Sequence, residues 1–158
     1  MDTDAALKKA RYLTLRFLTY RARSKNEVYD YLERKGFSED VSAEVIKDME
    51  NYGYINDERF ANDFIIYRKL RGFGIKRVRY ELDMKGVNSQ VIDQKIAELF
   101  NPEEDLERIK EILINRSAGK TCDKNDEKWL KREVSFLKRR GFQDNLIFKA
   151  LKVCDPVD

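Results

Sequence analysis

The chain has 158 residues, of which 42% are hydrophobic and 39% charged, yet its formal net charge is only +3. It contains no histidine, which removes histidine acid–base chemistry, Ser-His-Asp triads and most zinc or iron sites. With only two prolines and seven glycines, so charge-rich a composition suits helices with wet outer faces, in one domain or a few small ones.

Cys122 and Cys154 lack CxxC spacing, so neither a disulfide framework nor a thiolate metal site is expected, and a reducing cytoplasm fits best. The opening stretch MDTDAALKKA has no signal-peptide apolar core, and no run has the apolar length needed to cross a bilayer. The expectation is a cytoplasmic protein with no catalytic residues, no metal site, no cofactor and no membrane association.

The chain repeats itself. LERKGF (Leu32 to Phe37), LDMKGV (Leu82 to Val87) and LKRRGF (Leu137 to Phe142) share one pattern, and their glycines stand fifty and then fifty-five residues apart. Five residues after each glycine comes an apolar residue (Val41, Val91, Leu146), and ten after comes another (Ile46, Ile96, Leu151). The expected fold is all-α, an elongated tandem array of three three-helix repeats over residues 1–55, 56–101 and 102–158.

In the first repeat, Ala10, Leu13, Phe17 and Tyr20 follow helical spacing. Ser24 with Glu27 makes a capping box that opens a second helix, and Gly36 closes it behind the basic last turn of Arg34 and Lys35. Ser38 caps a third helix running to about Tyr52. In the second repeat, Asn56 as N-cap places Ile55 and Phe60 as a hydrophobic staple, with Phe60, Phe64 and Tyr67 on one face. Further helices are expected over Ile75–Lys85, with Val78 and Leu82 inward, and over about Ser89–Leu99. Pro102 marks the next boundary. The third repeat reads as helices over Glu103–Arg116, Asp126–Arg140 and Asp144–Lys152, with a polar loop SAGKTCDKND after the first. Glu133 stands where the other repeats have Val28 and Val78, which raises the alternative of a shifted helix register.

Two segments concentrate positive charge. RKLRGFGIKRVR, Arg68 to Arg79, has six cations and no acid; between Asp4 and Glu27 there is no acid while Arg16, Arg21 and Arg23 stand among seven cations. The glycines of GFG lack the third glycine and the preceding strand of a dinucleotide fingerprint, so they read as a turn between helices. Helix-end cations explain part of the basic run, and Arg77 with Glu81 and Arg79 with Asp83 are spaced to pair. No nearby acid in sequence answers Arg68, Lys69, Arg71 or Lys76. The alternative is a positive surface for nucleic acid or an acidic partner. Lys138, Arg139 and Arg140 read as a helix C-terminus, and Trp129 and Phe136 as core.

DERFANDF (Asp57 to Phe64), RGFGIKRVRYELDMKGV (Arg71 to Val87) and SKNEVYDYLERKGF (Ser24 to Phe37) resemble the RecX regulatory proteins, which modulate the bacterial RecA recombinase. The resemblance covers about residues 10 to 100, and the third repeat only loosely. It implies an array lying in the groove of the RecA–DNA filament, inhibiting ATP hydrolysis, strand exchange and filament extension without chemistry of its own. The groove contacts expected are Arg16, Arg21, Arg23, Arg68, Lys69, Arg71, Lys76, Arg77 and Arg79. The expected partners are the RecA filament and, weakly on their own, single- and double-stranded DNA; the expected free state is a monomer. Two other readings stand beside it: a helix-turn-helix DNA-binding protein acting without RecA, and a metal-dependent nuclease or phosphotransferase using clustered acids.

Overall fold

A computed structural model describes residues 2–117 and 125–153. Cys122, Cys154 and most of the SAGKTCDKND loop lie outside these residues. The described chain is all-helical, in the order α1 (Thr3–Leu18), α2 (Lys25–Arg34), α3 (Glu39–Asn51), α4 (Asp57–Leu70), α5 (Ile75–Met84), α6 (Ser89–Leu99), α7 (Pro102–Ser117), α8 (Glu127–Arg140) and α9 (Asp144–Val153). Each expected helix is present, and where the sequence predicts an end it lies within a residue or two; α1 begins at Thr3, well ahead of the stripe that starts at Ala10, and no helix among the described residues is long and apolar enough to cross a membrane.

The repeated hexapeptide is a helix-ending device. After α2, Gly36 takes φ +86°, its N–H donates to the Glu33 carbonyl at 2.9 Å, and the Phe37 N–H donates to the Leu32 carbonyl at 3.2 Å. This is a Schellman motif, and Phe37, the residue after the glycine, packs against the apolar cluster that includes Leu32. Val87 bonds in the same way to Leu82, and Phe142 to Leu137, again at 3.2 Å. The invariant offsets of the sequence are therefore hydrogen-bond partners: leucine supplies the carbonyl, glycine the left-handed turn, and the next apolar residue the cover. The starts of the helices are as well defined. Ser24 and Glu27 form the reciprocal capping box, Ser38 accepts from Val41 N–H, and Asn56 accepts from Arg59 N–H with Ile55 and Phe60 buried on either side.

The chain divides into two compact units, Met1–Asp63 with Leu82–Ile92, and Phe64–Glu81 with Asp93–Asp158. The second set of three helices thus contributes to both. In the first unit α1 packs on α3 and α2, and the core is Leu7, Ala10, Val28, Leu32, Val41, Val45, Ile46, Met49 and Ile55. The inward stripe of α1 runs through Leu7, Ala10 and Thr14, with Phe17 half-buried; Tyr20 lies past the helix end and is 75% exposed, so it does not continue the stripe. In α4 the inward face is Phe60, Ala61 and Ile65 rather than a line reaching Tyr67, which is 53% exposed.

In the second unit α7 packs on α9, and α8 on α9, around Leu106, Ile109, Leu113, Leu137, Phe142, Leu146, Ile147, Ala150 and Leu151. Trp129 and Phe136 are half-buried against this core, as their spacing predicts. Glu133 keeps the register of Val28 and Val78: it is buried, and Arg116 donates to it at 2.6 and 3.3 Å and Arg132 at 3.2 Å. A charged side chain at an inward position is retained because two guanidiniums satisfy it.

Candidate nucleic-acid and protein interface

The Schellman turn after α4 sets the α4–α5 loop. Gly72 takes φ +81°, its N–H bonds to Lys69, and Phe73 N–H bonds to Arg68. Gly74 has no unusual φ; its requirement is closeness. A Cβ there would lie 2.6 Å from the carbonyl carbon and oxygen of Gly141 and from the Phe142 nitrogen. Gly74 N–H donates to the Arg140 carbonyl at 2.8 Å and Lys76 N–H to the Gly141 carbonyl at 2.9 Å. The first turn of α5 is thus capped by the end of α8. Glycine at 74 is what lets the two backbones touch.

Two arginines from the third repeat secure the loop. Arg108 donates to the Lys69 and Phe73 carbonyls, each at 2.7 Å, and to Asp105 at 2.7 Å. Arg140 donates to the Arg71 carbonyl at 3.1 Å and lies 4.6 Å over the Phe73 ring. Arg68 lies 3.7 Å over the same ring. Burial raises the Asp105 carboxyl above its ordinary range, although Arg108 opposes the shift.

Against this frame the basic residues separate. Arg68 forms a forked pair with Glu81, and Arg77 reaches the same carboxylate at 3.0 Å, the i,i+4 pairing its spacing predicts. Lys69, largely buried, donates to the Leu99 carbonyl at 2.5 Å and to Glu104 at 3.1 Å. Arg79 pairs with Asp93 rather than with Asp83, because the α6 carboxylate comes closer than the one on its own helix. Lys76 stands 3.9 Å from Asp144, which it shares with Lys138 at the same distance. Arg71 has no carboxylate partner among the described residues; its guanidinium lies 5.6 Å from the Tyr67 ring.

In the first unit Arg21 forks onto Glu27 and donates to the Ala22 carbonyl. Arg23 stacks 4.0 Å over Phe17. Burial lowers its pKa from the ordinary arginine value, with Arg21 adding to the effect. Arg16 is exposed and has no ion pair among the described residues. Glu27 is the acid that organises this segment: burial opposes its ionisation, but bonds from Arg21, the Ser24 N–H and Lys85 win and hold its carboxyl below the usual range.

Six of the nine expected contact residues are therefore engaged within the protein: Arg21, Arg23, Arg68, Lys69, Arg77 and Arg79. Arg16 and Arg71 present unanswered charge, and Lys76 nearly so. Two further residues, Arg108 and Arg140, join the site from the third repeat. Arg140 carried a signal, since a cation precedes the glycine in all three hexapeptides; Arg108 carried none.

The RecX first three-helix domain matches residues 10–49, and the RecX second three-helix domain matches residues 56–96. The chain is 32% identical to the regulatory protein RecX of Mycolicibacterium smegmatis, covering 96% of this chain and 82% of that one. It is 30% identical to the regulatory protein RecX of Oceanobacillus iheyensis, covering all of this chain and 58% of the longer relative. The crystal structure of RecX from Lactobacillus salivarius superimposes with a TM-score of 0.81 at 21% identity, covering 98% of this chain and 99% of that one, and so shares the fold. The chain belongs to the RecX family of regulatory proteins.

Proposed function

We propose that this chain is a cytoplasmic, RecX-like modulator of RecA that lies in the groove of the RecA–DNA filament and suppresses ATP hydrolysis, strand exchange and filament extension, with no chemistry of its own. Family membership supports the class of partner. The observation that carries the contact is Arg71, an exposed guanidinium without a carboxylate partner among the described residues, on a loop fixed by Arg108 and Arg140. A loop whose backbone is already held loses little freedom when its cation meets a phosphate or a carboxylate.

The charge balance favours a composite target. Affinity for naked DNA comes chiefly from phosphate neutralisation, and a chain of net charge +3 whose basic segments are largely engaged by its own acids binds DNA weakly alone. A filament groove adds protein surface to phosphate. The test is RecA's hydrolysis of ATP on single-stranded DNA with this protein titrated in, its own DNA binding measured in parallel. Inhibition well below the ratio that covers the DNA is expected, and the Arg71→Glu/Lys76→Glu variant should lose it while keeping its helicity. Inhibition only at DNA-saturating ratios would replace this reading with competition for DNA by a helix-turn-helix-like protein.

A further inference from the structure

Successive repeats are joined by one recurring contact: the start of a repeat's second helix receives the glycine turn that ends the second helix of the next repeat. At the first joint, N-cap Ser24 donates its hydroxyl to the Lys85 carbonyl at 2.7 Å, a Cβ on Gly86 would lie 2.5 Å from Asn26, and Lys85 pairs with Glu27 of the receiving turn at 3.1 Å. At the second, N-cap Gly74 and Lys76 donate to the carbonyls of Arg140 and Gly141, and a Cβ on Gly141 would collide with the Arg77 backbone nitrogen. Each joint lies within one compact unit.

This scheme leaves one turn and one helix start unused. The Gly36 turn has the same Schellman bonds as Gly86 and Gly141, yet a Cβ there would meet nothing within 4 Å. No hydrogen bond from another repeat reaches the Lys35 or Gly36 carbonyl among the described residues. Beside it opens a cavity of about 290 Å³ lined in part by Ala6, Lys9, Lys35, Phe37 and Val41. The unused helix start is that of α8, whose first turn carries exposed Asp126 and Glu127, neither with a cation among the described residues. The charges match: Lys35, also without a carboxylate among the described residues, precedes its glycine as Lys85 precedes Gly86, and acids at the α8 start stand in for Glu27.

We infer that the Gly36 turn of one molecule docks against the α8 start of a second copy, a head-to-tail contact that continues the internal joint between chains. Such a contact joins two different surfaces, so it does not close on itself in a pair and can propagate along an extended lattice. Asp126 differs from Ser24 in one respect. Its carboxylate accepts from Lys128 and Trp129 N–H and has no proton to donate, so the contact between copies rests more on Lys35 against Asp126 and Glu127 and is weaker than the internal joints. The free chain is a monomer when dilute and associates when concentrated.

The test is sedimentation velocity of the whole chain at low salt from micromolar to millimolar concentration, with Lys35→Glu, Glu127→Lys and an equimolar mixture of the two. Concentration-dependent association is expected, weakened about tenfold by either reversal alone, the size of one attractive contact turned repulsive. In the mixture, the reversed turn of the first variant meets the reversed helix start of the second, the two charges are again opposite, and association returns. Gly36→Asn, which tolerates the left-handed turn but fills the open space, should weaken association with little change in thermal midpoint. A monomer at every concentration overturns the inference and leaves the Gly36 turn to a helix start of another protein. Association that ignores both reversals overturns it equally, by placing the contact elsewhere.

Discussion

The Ser24 hydroxyl donates to the Lys85 carbonyl at 2.7 Å across 61 residues of chain while its oxygen accepts from the Glu27 N–H at 3.2 Å. One buried oxygen thus starts α2 and ends α5. Replacing Ser24 with Ala removes the N-cap and leaves the Lys85 carbonyl without its donor, and should cost about 2 kcal/mol, the sum of a cap and a net hydrogen bond. Urea unfolding followed by circular dichroism measures it; a loss no larger than that of an ordinary cap would mean that the bond to Lys85 contributes nothing.

Gly74 and Gly36 should differ in what an added methyl group costs. Gly74→Ala forces Cβ against the Gly141 backbone and should cost about 2–3 kcal/mol, since two main chains must separate. Gly36→Ala meets open space and should cost only the left-handed strain, about 1 kcal/mol. Comparing the two unfolding midpoints under identical conditions decides it; equal costs would show that the joint yields freely.

Arg108 is placed to hold the α4–α5 loop rather than to touch a partner. Its side chain is 15% exposed and satisfies two loop carbonyls as well as Asp105. Arg108→Ala should cost about 3 kcal/mol, as expected when a largely buried charge loses its partner, and should speed amide hydrogen exchange at Gly72 and Phe73. Unchanged exchange there would assign the loop's order to Arg140 alone.

Arg71 and Arg68 should differ in what their removal disturbs. Arg71→Ala should leave the thermal midpoint almost unchanged and, if the chain binds the RecA–DNA filament as proposed, reduce the salt dependence of that binding by about one unit in the log–log slope, the share of one phosphate contact. Arg68→Ala leaves the half-buried Glu81 to Arg77 alone and should lower stability instead. An unchanged salt slope for Arg71→Ala would place that residue against protein rather than phosphate.

Glu133 should make stability sensitive to acid. Burial disfavours its charge, but Arg116 and Arg132 prevail and hold the carboxyl below the ordinary glutamate range. The folded state therefore binds fewer protons than the unfolded state in that window, so the contribution is complete above the unfolded pKa and is lost as pH falls through the folded one. Glu27 acts with the same sign; Asp57 and Asp105, raised by burial, act with the opposite sign. Glu133→Gln should be less stable at neutral pH and should lose less on acidification. Parallel curves for variant and parent in urea titrations across the acid range would remove Glu133 from the account.

Much of the fold can be read locally because its helix ends are built from local chemistry. Ser24 with Glu27, Ser38, Asn56 and Gly36 each act on residues within five positions, and spacing exposes such pairs. The face of α4 is less legible, because Tyr67 and Ile65 are both apolar by composition and only packing decides between them. The site is legible as charge but not as pairing. Arg68 finds Glu81, Lys69 finds Glu104 and Arg79 finds Asp93 across 13, 35 and 14 residues, so the acids that quiet the basic run lie outside any window that made it conspicuous. Gly74 shows the same limit: its partner is another backbone, which leaves no trace in local pattern.

The joints have a direction in time. Each helix start is completed by a turn that occurs later in the chain, and Lys85 leaves the ribosome after Ser24 by the 61 residues that separate them, several seconds at about 5–20 residues per second. Most of the first unit's core, from Leu7 to Ile55, emerges before that. A nascent first repeat can therefore collapse while α2 still lacks its external bond, and translation that pauses shortly before Lys85 would hold the chain in that half-finished state.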